Sequence, residues 1–254
     1  MDEAYQAYRS AAESPTIRSI WKAVYRDRLW EGGAPPLTMA TNEDVQFVTD
    51  RLDPRATSCL VDLGCGSGCL SRHLARVFGS EVVGVDANPL AVRLAKDRSQ
   101  DQPFSSKLTF ETQDIAATGL PDNAFHGAVS LDVLLFVKDK VSVFQETKRI
   151  LKPGTRFAGT TFELRSPSIS LSAPAFENYA KAFEAAGLVI EVYEETEGWQ
   201  PLLEGLLAGL LAREADLARE VHTGMHERIQ DWAQKRPSEL SDSRRTRFCV
   251  RKPQ

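Results

Sequence analysis

From residue 58 onward the chain alternates between two hydrophobic periods. Short, almost continuously apolar runs of strand length are SCLVD, EVVGV, KLTFE, AFHGAVSL, TRFAGTTF, LVIEVYEE and TRFCVRK. Between them lie segments whose apolar residues recur every three or four positions: LSRHLARVF, PLAVRLAKDRS, VSVFQETKRIL and AFENYAKAFEAA. The first period predicts strands buried on both faces, and the second predicts amphipathic helices covering them. LKPG, residues 151–154, reads as the turn into the fifth strand, and Gly187 as a left-handed helix stop. Strands alternating with helices predict a doubly wound α/β domain around a mainly parallel sheet. Ligands of such domains sit at the carboxyl ends of the strands.

The flanks follow a different pattern. Residues 2 to 30 read as helix, broken at Ser14-Pro15 and carrying Tyr5, Tyr8, Trp21, Tyr25 and Trp30. A loop, EGGAPPLTMA, follows; Thr41 then starts a helix through Leu52 with Val45, Val48 and Leu52 on one face. About fifty residues separate LVIEVYEE from TRFCVRK, where a hairpin needs roughly 2–5. They include WQPLLEGLLAGLLAREADLAREV and HERIQDWAQ, with Leu202, Leu203, Leu206, Leu210 and Leu217 at helical spacing. The expected organisation is an N-terminal helical cover over residues 1–40 and one domain over 41–254. That domain carries a helical insert at about 199–240. The insert reads either as a lid closing with the N-terminal helices over an apolar substrate, Trp199 at its entrance, or as a satellite layer or homodimer contact.

Composition narrows the function. Of 254 residues, 42% are hydrophobic and 26% charged, as in ordinary globular chains. A formal net charge of −4 gives no electrostatic case for nucleic acid or an anionic membrane surface. The apolar stretches AVSLDVLLFV and LLEGLLAGLL are interrupted by Asp132 and Glu204 and are too short to span a bilayer. Four cysteines (Cys59, Cys65, Cys69 and Cys249) form no CxxC pair, and no leader is visible in MDEAYQAYRS. A cytoplasmic location is the expectation.

Chemistry concentrates at VDLGCGSG, residues 61–68. This loop leaves a strand and enters a helix, so Gly64, Gly66 and Gly68 permit positive φ and a close ligand approach. The next strand ends at Asp86, 18 positions after Gly68, where a carboxylate can accept both hydroxyls of a ribose. The competing reading is a tight turn, with Asp86 capping the helix that begins at Pro89. The spacing GxGxG departs from the GxGxxG of dinucleotide sites. Asp62, just ahead of the loop, would repel a pyrophosphate but favour an ammonium or sulfonium. Together these residues point to a cationic, amino-acid-bearing adenosine compound.

The motifs VDLGCGSG, GVDANPLAVRLA, FETQDIAATGLPDNAFHGAVSLDVLLFV and ILKPGTRF resemble those of class I S-adenosylmethionine-dependent methyltransferases of the bacterial small-molecule type. The resemblance covers residues 36 to 165 well and the remainder in outline. It implies a Rossmann-like seven-stranded sheet whose last strand is antiparallel and inserted before the sixth. It also implies that Gly64, Cys65, Gly66 and Gly68 pass beneath the methionine and ribose portions of S-adenosylmethionine. Asp86 would bind the ribose, Ala87 would lie beside the adenine, Asp114 would take the adenine amino group, and Ile115 would lie against the ring. Ser130 and Leu131 would lie near the sulfonium, and PLTMAT, ending at Thr41, would contact the methionine end. No Asn-Pro-Pro-Tyr follows the fourth strand, which disfavours the DNA and protein-glutamine branches. Many small-molecule members carry a His after that strand, and Phe136 stands at its place.

Candidates for a general base at the correct edge of the sheet are Asp132, Glu163 and Tyr25, none distinguished by a motif. Positioning is therefore the expected catalytic device. His222 and His226 lie four apart in VHTGMHE, but HExxH is absent and Gly224 weakens that helix, so no metal is expected. His73 reads as structural. A thiol nucleophile at Cys65 or Cys69 would need a base partner that the sequence does not identify. The Arg244–Arg247 run reads as solvated charge. The expected function is methyl transfer to an oxygen, nitrogen or carbon atom of a small apolar or aromatic acceptor. The alternative is a protein of the same fold that binds the cofactor without transferring methyl, in a cyclase or binding role.

Overall fold

The computed structural model describes residues 3–26, 39–168, 173–240 and 243–254. Seven strands form one sheet: β1 (Cys59–Leu63), β2 (Glu81–Asp86), β3 (Leu108–Thr112), β4 (Phe125–Leu131), β5 (Leu151–Leu164), β6 (Val189–Glu195) and β7 (Ser243–Arg251). Their order is β3-β2-β1-β4-β5-β7-β6. Strands β1 to β5 pair in parallel, and β7 lies antiparallel between β5 and β6. This is the Rossmann-like sheet expected from the sequence, with its last strand inserted before the sixth.

Helices α3 (Asn42–Leu52), α4 (Cys69–Phe78), α5 (Pro89–Ser99), α6 (Lys140–Ile150) and α7 (Tyr179–Ala185) cover the sheet. Period-two alternation sorts the strand residues between its faces. Ala128, Phe157, Phe248 and Val250 pack with Phe144 and Phe183 of α6 and α7. Their neighbours Val129, Ala158 and Cys249 pack with Val45, Val48 and Leu74 of α3 and α4. Thr41 caps α3 in a reciprocal capping box with Asp44.

Two boundaries differ from the sequence reading. LKPG is not a turn ahead of β5. Leu151 already pairs with Phe125, and the register then jumps to Gly127 opposite Arg156, so Lys152–Gly154 bulge out of the ladder. Helix α7 begins at Tyr179 and not at Ala175. Phe176 instead exchanges backbone hydrogen bonds with Leu164, at 2.7 and 2.9 Å.

The N-terminal segment forms α1 (Glu3–Glu13) and α2 (Pro15–Tyr25), broken where Ser14 caps α2 and Pro15 occupies its first turn. Trp30 and all of EGGAPPLTMA before Met39 lie outside the described residues. The insert forms α8 (Trp199–Ala212), α9 (Glu214–Glu220) and α10 (Thr223–Leu240). Glycines let α8 approach α2 closely: a Cβ on Gly209 would stand 2.6 Å from Ile20. Glu220 accepts the backbone N–H of Thr16 at 3.0 Å and its hydroxyl at 2.6 Å, tying α9 to the start of α2. The leucines of α8 pack with α2 over Leu135, Phe162 and Leu164. The helical layer therefore rests on the carboxyl ends of β4 and β5. Among the described residues no helix is long and apolar enough to cross a membrane.

Candidate functional site

The glycine loop runs from the end of β1 to the first turn of α4. Gly64, Gly66 and Gly68 have φ of 79°, 53° and 75°, the left-handed region where a Cβ is disfavoured. The backbone N–H groups of Gly64 and Cys65 both donate to Val85 O, at 2.7 and 3.0 Å, which fixes the loop on the end of β2. The three glycines do different work. A Cβ on Gly64 would stand 2.4 Å from Val133, and one on Gly68 2.8 Å from Phe110. A Cβ on Gly66 would meet nothing within 4 Å, so the backbone there borders open space.

Asp86 borders the same loop. Its Oδ2 accepts the Gly66 N–H at 2.8 Å and its Oδ1 the Asn88 N–H at 2.8 Å. Burial raises its carboxyl above the usual range, and those two hydrogen bonds oppose the rise. The cap of α5 is Asn88, whose Oδ1 accepts from Leu90 N, so helix capping does not account for Asp86. Each oxygen keeps acceptor capacity for a further donor. Asp62 is buried at the end of β1, with its Oδ2 accepting the Ser71 hydroxyl at 2.6 Å. Burial, and then the nearby Asp86 charge, push its carboxyl up to about 6 against the pull of that bond.

The other expected binding residues surround this loop. Asp114 is exposed in the turn after β3, with Oδ1 accepting the Ala116 N–H at 2.8 Å, while Ile115 beside it is buried. Ala87 is exposed at the end of β2. Ser130 is wholly buried and donates to Leu63 O at 2.8 Å, holding β4 to β1 where the loop begins. Leu131 is half-buried with the α3–α4 face. The Thr41 hydroxyl is engaged in the α3 cap, donating to Asp44 Oδ2 at 3.0 Å and accepting from Asp44 N at 3.2 Å. Cys65 is buried, and burial raises its thiol well above the ordinary value, so the neutral thiol dominates.

The three candidate bases are all engaged. Asp132, in the left-handed region at φ 57°, accepts from Thr160 Oγ1 at 2.9 Å, Arg245 Nε at 3.1 Å and Arg245 Nη2 at 3.2 Å. Arg245 also pairs with Asp44, at 3.0 Å. Burial works against the charged guanidinium, but Asp132 and Asp44 more than offset it and raise its pKa. The run expected as solvated charge thus hides one fully buried arginine. Tyr25 donates to Met39 O at 3.2 Å, and Met39 N–H donates to Asp132 Oδ2 at 3.3 Å. Glu163 accepts from the Tyr193 hydroxyl and from Asn178 N, and faces Arg244 at 3.7 Å.

Above these groups lies the apolar cap. Trp199, expected at an entrance, is instead 2% exposed and packs edge-on against Phe162, ring centres 5.2 Å apart. Leu203, Leu206, Leu210 and Leu217 are buried inside the chain, so the apolar stripe is covered without a second copy. Phe136 stands 48% exposed in a 3-10 turn, Leu134–Phe136, after β4. Buried Lys140 holds that turn by donating to Leu135 O at 3.4 Å and to Val137 O. His222 reaches Glu3 of α1 at 3.3 Å, so its ring serves a contact between cover and insert.

Sequence reasoning missed Arg245 and Lys140. Period two in β7 places Arg245 on the face of Cys249, which is the legible part of the signal. Its carboxylate partners come from α3 and from the loop after β4, which spacing in β7 does not reveal.

Known proteins resemble this chain in sequence and in fold. A family model described as a methyltransferase domain matches residues 61–159, from the glycine loop into β5. The methyltransferase phqN of Penicillium fellutanum is 29% identical over 122 residues, 48% of this chain and 37% of phqN. The methyltransferase GfsG of Streptomyces halstedii is 25% identical over 204 residues, 72% of this chain and 73% of GfsG. The chain thus spans little more than a third of one relative and nearly three quarters of the other. The crystal structure of the [4+2]-cyclase SpnF shares the fold with a TM-score of 0.74 at 21% identity, over 94% of this chain and 93% of the cyclase. Residues 61–159 thus match a methyltransferase domain, and the sheet that carries them has the fold of solved structures such as the cyclase.

Proposed function

We propose that this protein transfers the methyl group of S-adenosylmethionine to an oxygen, nitrogen or carbon atom of a small, largely apolar acceptor. The observation that carries this reading is one juxtaposition. An open backbone cradle at Gly66, bordered by Asp86 at the ends of β1 and β2, lies on the same carboxyl edge of the sheet as the ends of β4 and β5, on which the apolar helical cap rests. The residues fit the cofactor: Gly66 leaves room, and Asp86 keeps acceptor capacity on both oxygens for a ribose diol. When bound, S-adenosylmethionine supplies a methyl already activated on sulfonium.

The chain's own contribution is binding and exclusion of water. Asp86 takes the ribose, Asp114, Ile115 and Ala87 border the adenine, and Asp62 and the Thr41 segment face the methionine end. Ser130 and Leu131 flank the sulfonium. The cap then keeps water from the strand ends, exposed Phe136 meets the acceptor, and orientation alone can supply about 7–11 kcal/mol of such a barrier. Asp132 and Glu163 are tied to arginines, and Tyr25 to Met39, which supports positioning over a dedicated base.

A second reading is supported by the likeness to a [4+2]-cyclase over nearly both whole chains. In it the same site binds the cofactor while the cap promotes a different reaction of an apolar substrate. Incubation with S-adenosylmethionine and a panel of apolar and aromatic acceptors separates the two. Methyl transfer releases stoichiometric S-adenosylhomocysteine with a product heavier by one methylene. A substrate converted at constant cofactor mass and without S-adenosylhomocysteine would select the second reading.

A further inference from the structure

Helix α1 lies along α5, with Tyr5, Tyr8 and Ala12 packed on Ala91 and Leu94. The Tyr5 hydroxyl donates to Asp97. Arg98 joins three elements: its Nη2 donates to Ala12 O at 3.1 Å and its Nη1 to Ser67 Oγ at 3.3 Å, so α1 is tied to the glycine loop. Within this contact Tyr8 is 8% exposed, and its hydroxyl has no hydrogen-bond partner among the described residues. Buried polar atoms are nearly always paired, so an acceptor is expected beside this phenol.

The groups close enough to act electrostatically on the phenol are Asp86, Cys69, Arg98 and Cys65. They come from the end of β2, from both sides of the glycine turn and from α5. With Arg98 tying α1 to Ser67, the phenol therefore lies in the neighbourhood of Asp86 and of the loop whose Gly66 backbone borders open space. A ribose diol that gives its hydrogens to Asp86 still offers oxygen lone pairs, and a phenol can donate to one.

We propose that Tyr8 is a cofactor-binding residue, its hydroxyl donating to a ribose oxygen of the nucleoside that Asp86 holds. This rests on the assignment of Asp86 to the ribose. Burial raises the pKa of the phenol, so the donor proton is retained at neutral pH. Helix α1 then forms a wall of the cofactor site.

The test is a calorimetric cycle with S-adenosylhomocysteine and its 2′-deoxy and 3′-deoxy analogues, on the wild type, Tyr8→Phe and Asp86→Asn. Hydrogen exchange in α1 is followed in parallel. Tyr8→Phe is expected to weaken S-adenosylhomocysteine about two- to tenfold, as for one neutral hydrogen bond, and to have no effect on one of the deoxy analogues. S-adenosylhomocysteine should slow exchange across α1 in the wild type, and less so in Tyr8→Phe. Unchanged affinity in Tyr8→Phe, or an equal loss for all three ligands, overturns the proposal. The ribose assignment survives that result if Asp86→Asn still weakens S-adenosylhomocysteine more than the deoxy analogues. If Asp86→Asn makes no such distinction, the assignment falls as well.

Discussion

Arg245 of β7 places its Nε 3.1 Å from Asp132, at the end of β4, and its Nη2 3.0 Å from Asp44 of α3. One buried cation therefore holds the two segments that flank the expected methionine end of the cofactor. Asp44 fixes the N-terminus of α3, and Asp132 fixes the turn that presses Val133 against Gly64.

Removing Arg245 leaves two carboxylates buried without their cation, a change that costs about 3–5 kcal/mol. Arg245→Met should lower the denaturant midpoint accordingly. Arg245→Lys should recover part of the loss, because it restores the charge without the fork that spans both carboxylates. Equal stability of Arg245→Met and wild type would show that the triad does not anchor these segments.

Asp62 gives a pH dependence with a defined sign. Its folded pKa, about 6, lies above its unfolded value, about 4. The folded state therefore holds the proton more tightly, and Asp62's contribution to stability falls as pH rises from about 4 through 6, then levels off. The difference in unfolding free energy between wild type and Asp62→Asn should follow that course, spanning about 3 kcal/mol. An ammonium bound beside Asp62 would reverse the preference for the proton. S-adenosylhomocysteine should then bind more tightly as pH rises from 5 to 7 in the wild type, with a flatter profile in Asp62→Asn. Parallel profiles would remove Asp62 from the methionine end.

Two apolar residues separate acceptor contact from structural packing. Phe136 is half-exposed after β4, whereas Leu206 is fully buried between α8 and α2. Phe136→Ala should raise the acceptor KM while leaving stability and S-adenosylhomocysteine affinity nearly unchanged. Leu206→Ala should destabilise by about 2–5 kcal/mol, as buried leucines do. A destabilised Phe136→Ala with unaltered KM would place the acceptor elsewhere.

The parts legible in the sequence were those fixed by local chemistry. The near-continuous apolar runs marked all seven strands, and Thr41 and Ser14-Pro15 marked helix starts. Positive φ at Gly64, Gly66 and Gly68 followed from the need for a tight strand-to-helix turn. The illegible parts depend on partners distant in sequence. Arg245 looked solvated because Asp44 and Asp132 lie 201 and 113 positions away. Trp199 and the α8 leucines looked available to a ligand because their cover, α2, comes from the other end of the chain. The first turn of α7 had helical periodicity but was claimed by the pairing of Phe176 with Leu164.

The central claim is that the cradle between Gly66 and Asp86 holds the ribose of an S-adenosyl cofactor, and one titration tests it most directly. S-adenosylhomocysteine is titrated calorimetrically into the wild type and Asp86→Ala, with circular dichroism confirming that both are folded and NADH as the competing ligand. Loss of hydrogen bonds to a charged acceptor costs about 1.5–3 kcal/mol, so the variant should bind roughly ten to a hundred times more weakly, and NADH should not bind the wild type comparably. Undiminished affinity in folded Asp86→Ala, or NADH binding as tight as S-adenosylhomocysteine, would contradict the account.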